Sequence, residues 1–218
     1  MPRGRHLAVF LAAFFSAGCG ADFFGEPPRV ATHGYRATVN VLKDDEVVSK
    51  FELAVRGDDL RRELPSGPFP VYVLRGGAGR AFELDPATKT VRDAEPAQAV
   101  AFLRDHPLAP GFSEKAMASQ LGLERYARES DTPFGGNACH VWRFDDDPDA
   151  DVSPATWYWV APALDRLVVQ RQREEILPDG KRLRTATQLL NVRPGAATKL
   201  FEEPEGWRRV ERPVAPAR

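Results

Sequence analysis

The chain has 218 residues, with 30 Lys and Arg against 31 Asp and Glu, and a formal charge of −1 at pH 7. Charges of both signs are interspersed without a basic stripe, which excludes nucleic acid as a partner class. With only 2 cysteines, Cys19 and Cys139, a disulfide-stapled scaffold is excluded, and the length suffices for one domain with a full core.

The N-terminus reads as an address. Arg3 and Arg5 supply a positive start, Leu7 to Phe15 an apolar run, and Ser16-Ala17-Gly18 a stretch of small residues ending at Cys19. This layout marks residues 1–18 as a secretory signal, and the cysteine behind it gives a bacterial lipoprotein signal. Ser16 stands where such signals usually carry Leu, so an ordinary cleaved signal with an incidental cysteine is the weaker alternative. The apolar run is too short to cross about 30 Å of hydrocarbon, and no second run approaches a spanning length. Under the lipoprotein reading Cys19 becomes the acylated first residue of the mature protein. Residues 19–33 then form a tether without periodicity, interrupted by Pro27-Pro28. By resemblance to enterobacterial lipoproteins, Gly20 in place of Asp implies the outer membrane, facing the periplasm, rather than the inner membrane.

Alternation opens the domain. Tyr35, Ala37, Val39 and Val41 share one face, and after the polar turn Lys43 to Glu46 so do Val47, Phe51, Leu53 and Val55, predicting a long hairpin. Short strands follow at Leu60–Leu64, Val71–Leu74 and Arg80–Leu84, then Thr90-Val91-Arg92. Helical windows are predicted at Glu95–Asp105, with Ala99, Phe102 and Leu103 on one side, and at Ser113–Leu121 with Ser113 as N-cap. Strand signals return at Leu123–Glu129, Ala138–Phe144, Thr156–Ala161, Arg166–Leu177 and Lys181–Val192, with Pro178-Asp179-Gly180 turning the last pair. Strands, then helices, then strands, without βαβ alternation, predict an antiparallel α+β domain over residues 34–211, followed by a disordered tail at 212–218.

Three segments carry a family resemblance: the opening Tyr35-Arg36-Ala37-Thr38-Val39, the strand-turn-strand Trp157 to Val168, and Leu189 to Gly195 followed by Lys199-Leu200-Phe201-Glu202-Glu203-Pro204-Glu205-Gly206-Trp207. Together they resemble the outer-membrane lipoprotein carrier superfamily, the group of LolA-, LolB-, LppX- and RseB-like proteins. The resemblance implies a strongly curved antiparallel sheet, an unclosed half-barrel, with a helical plug on its concave face and an acyl chain or other apolar ligand between them. The alternative is a tethered interaction or stress-sensing module with a filled core that contacts another envelope protein. The cavity candidates are Val39, Val41, Phe51 and Leu53 on one wall, Trp157 and Trp159 on another, and Phe102 and Leu103 in the covering helix. Ordinary core packing is the competing role for the two tryptophans.

Other motifs fall short of chemistry. The acidic run from Asp145 to Asp151 puts Ala150 and Thr156 where a calcium loop needs Gly and Glu, so it reads as a solvated turn. Cys139 and His140 are adjacent on a strand and point to opposite faces, a poor metal pair. Gly76-Gly77-Ala78-Gly79 lacks the Lys and Ser or Thr of a phosphate loop. The chain reads as a non-enzyme with no cofactor and no metal, and Cys139, flanked by apolar residues, as a buried thiol.

Overall fold

A computed structural model of the chain describes residues 30–97, 109–147, 150 and 153–211. It opens with one helical turn, α1 (Val30–His33), and a meander of β1 (Tyr35–Lys43), β2 (Glu46–Arg56), β3 (Asp59–Glu63), β4 (Val71–Arg75), β5 (Arg80–Asp85) and β6 (Thr90–Ala94). Helix α2 (Glu114–Leu121) precedes a second meander, β7 (Ala127–Asp131), β8 (His140–Asp145), β9 (Ala155–Ala161), β10 (Leu167–Ile176) and β11 (Arg182–Pro194). A short β12 (Arg208–Arg209) pairs in parallel with β6, and every other pairing is antiparallel. The sheet is curved and open, in the order β12-β6-β5-β4-β3-β2-β1-β11-β10-β9-β8-β7.

The seam between the meanders is the pairing of β1 with β11, where Val39 faces Leu189. Gly34 makes the entry to β1. Its φ of +69° is one that L side chains rarely adopt, and a Cβ there would strike the carbonyl of Val55. Since β6 and β7 lie toward opposite flanks, the connection over residues 95–126 joins the two sides of the sheet.

Within that connection Ser113 caps α2, its hydroxyl accepting from the Ala116 amide at 3.3 Å, and Gly122 closes the helix in the left-handed conformation. Ala118 packs with Phe112, Phe144, Tyr158, Val160 and Val168. Arg166 ties the helix start to the β9–β10 turn, donating to the Phe112 carbonyl at 2.8 Å and to Glu114 at 2.7 Å.

The meander β2–β6 is covered on both faces. One face, with Leu53, Val55, Leu60 and Leu74, belongs to the main core. The other, with Ala54, Val71, Val73, Phe82, Leu84 and Val91, is closed by the segment after β11, where Ala196 and Phe201 are buried. Arg56 holds that segment through the Ala196 carbonyl at 3.1 Å and the Thr198 hydroxyl at 2.7 Å. Burying a side chain the size of Phe201 contributes roughly 1.5–3 kcal/mol.

Three expectations change. Residues 30–33 of the expected tether belong to the folded domain: Val30 is buried, and the Ala31 amide donates to Asp165 at 2.9 Å. Val47 does not join the apolar face. A register shift in the hairpin pairs Val41 with Ser49 but Leu42 with Val47, which turns Val47 to the other side, 54% exposed. The strand expected at Leu123–Glu129 starts later, at Ala127, because Leu123 and Tyr126 pack into the α2 cluster instead.

Candidate ligand-binding site

The main core lies along one face of β1 and β2 and continues onto both meanders. Val39, Phe51 and Leu53 are 0%, 6% and 2% exposed within it, and Val41 and Trp159 pack against its margin. Alternation on paired strands explains the grouping: Val39 faces Phe51 and Ala37 faces Leu53, so their side chains share a face.

Trp157 stands apart from that cluster. It aligns with Gln172 on β10 and Arg143 on β8, its indole N–H donates to Glu129 at 3.0 Å, and the Arg143 guanidinium lies 5.3 Å from its ring centre. With Arg182, Arg184 and Glu174 it lines an open polar cleft of about 250 Å³. Phe102 and Leu103 lie outside the described residues.

A polar row missed by sequence reasoning crosses the apolar face. Leu53 aligns with Arg62, Arg62 with Tyr72, Tyr72 with Glu83, and Glu83 with Arg92. Arg92 donates to Glu83 at 2.6 Å, and the Tyr72 hydroxyl donates to the Glu95 carbonyl at 2.9 Å. The sequence held one signal: Arg62 falls on the apolar beat between Leu60 and Leu64, where alternation calls for a core residue.

Cys139 and His140 divide as expected. Cys139 is buried, its thiol 3.5 Å from the Asn137 carbonyl, and burial pushes its pKa up. His140 is on the accessible side, 2.9 Å from Asp131, whose carboxylate is held below the usual range first by Arg128 and then by His140. The native thiol therefore reacts slowly with a disulfide reagent and rapidly once denaturant is added. Fast labelling of the native domain at neutral pH contradicts this burial.

In the acidic run, Asp145 pairs with Arg143 at 2.7 Å and Asp146 with Arg173 at 2.8 Å, so arginines neutralise its start. Among the described residues no group of three or more His, Cys, Asp or Glu is arranged to hold a metal.

No family model and no curated protein matches the chain. Among solved structures it is similar to the lipoprotein LppX of Mycobacterium tuberculosis, at 9% identity and a TM-score of 0.41, over 74% of this chain and 88% of that one. LprF from Mycobacterium bovis matches at 13% identity and a TM-score of 0.42, over 81% and 90%. A LolA superfamily protein from Nitrosomonas europaea matches at 8% identity and a TM-score of 0.35, over 81% and 92%. Likeness this loose transfers no ligand from one chain to another.

Proposed function

We propose that this chain is a lipid-anchored protein of the bacterial envelope that holds an acyl chain against the apolar face of its open sheet and hands it on without catalysis. The observation that carries it is the continuous apolar cluster along one face of the open sheet, with Val39, Phe51, Leu53 and Leu189 at its centre and Val41 and Trp159 at its margin. An acyl chain laid along that face meets apolar side chains from both meanders. A tail burying roughly 300 Å² gains on the order of 7 kcal/mol before the costs of association, enough to hold cargo and still release it. Acylation of Cys19 places the protein at a membrane, and Gly20 favours the outer one, facing the periplasm.

The test uses the mature chain from residue 19 with Cys19→Ser. Native mass spectrometry finds co-purified lipid, and added palmitate changes the tryptophan fluorescence through Trp159 at the cluster margin. A lipid-free protein whose fluorescence ignores added acyl chains refutes the reading. The near-complete burial of Val39, Phe51 and Leu53 then favours the second one, a tethered module that meets another envelope protein through its surface.

A further inference from the structure

The row across β3–β6 carries one charge too many. Its members follow one another at about 4.8 Å, the spacing between neighbouring strands. Glu83 and Arg92 cancel, with their side chains only 14% and 20% exposed. Tyr72 is neutral and directed to the Glu95 carbonyl. That leaves Arg62, whose guanidinium sits 5.8 Å from the centre of the Tyr72 ring and whose Nε is buried with no hydrogen-bond partner. Among the described residues no carboxylate pairs with it. A buried donor without an acceptor carries a full desolvation penalty, so the arrangement is incomplete as it stands.

We propose that Arg62 anchors the head of the bound acyl chain, its guanidinium receiving the anionic oxygen of a carboxylate or phosphate while the tail runs across β2, β1 and β11 over Leu53, Phe51, Val39 and Leu189. This rests on the acyl-chain reading above and adds the chemical class of the ligand: one anionic group at one end. Arginine suits the role because its fork of donors matches either oxyanion and it keeps its charge when partly buried. The cleft at Trp157 is a poorer anion site. There Arg143 is already paired with Glu129 and Asp145, and Arg182 and Arg184 both with Glu174.

The test titrates the delipidated mature chain (Cys19→Ser) with palmitate, its uncharged methyl ester and 1-palmitoyl lysophosphatidate. Palmitate or lysophosphatidate binds at least about tenfold more tightly than the ester, and the tighter of the two identifies carboxylate or phosphate as the head group. Arg62→Met abolishes the preference of the charged ligands over the ester. Arg62→Lys keeps part of it, and carries the test should Arg62→Met fail to fold. Equal binding of all three by the unaltered chain, or a preference that survives Arg62→Met, overturns the assignment of Arg62 while leaving the acyl-chain reading standing. Binding of none of the three overturns that reading, and the anchor with it.

Discussion

Cys19→Ala moves the protein from the membrane pellet to the soluble periplasm, or leaves it unprocessed with its leader attached. The expected shift is nearly complete, because the two acyl chains proposed on Cys19 would bury about 30 methylenes at roughly 0.8 kcal/mol each, a nominal 20 kcal/mol or more. Among the described residues no helix is long and apolar enough to cross a membrane and so replace that anchor. Fractionation together with labelling by a radioactive fatty acid reads the outcome. Normal membrane association of the variant, with no label on the unaltered chain, removes the lipoprotein reading and leaves an ordinary cleaved signal.

Phe144→Ala is the most damaging single truncation expected where α2 packs on the sheet. Phe144 is fully buried at the centre of an aromatic cluster, 5.5 Å from Tyr126, 5.4 Å from Tyr158 and 6.4 Å from Phe112 between ring centres. Removing the ring forfeits transfer energy and edge contacts and leaves a cavity between α2 and the sheet, at a cost of about 3–5 kcal/mol. Against a typical total of roughly 5–15 kcal/mol, that lowers the urea midpoint severely at unchanged slope. A loss below about 1 kcal/mol means that α2 does not pack where the structure places it.

Legibility followed the direction of the chain. Alternation and turn residues run along it, so the hairpin Tyr35 to Arg56, the Pro178-Asp179-Gly180 turn and the capped helix after Ser113 were all readable from local spacing. Features perpendicular to the chain were not. Arg62, Tyr72, Glu83 and Arg92 come from separate strands and meet only through register, which alternation does not fix. Val47 fails for a related reason, because one shifted pair in the hairpin inverts every position beyond it. Trp157 and Trp159 are two apart and looked equivalent, yet Trp157 meets Arg143 and Glu129 while Trp159 reaches the core margin. β12 was invisible because its two residues, Arg208 and Arg209, carry no apolar pattern and are placed by backbone bonds such as Arg208 to Lys89.

The seam between β1 and β11 bears on how such a protein is made. Val39 waits about 150 residues for Leu189, and loop closure over that distance is a slow step. Until β11 emerges, each meander has an open edge and only part of its core, so the main core cannot be completed. An unfolded chain is the form that threads through a narrow translocation channel. Were the chain exported as proposed, the centre of the sheet would close last, after the C-terminal strands had crossed.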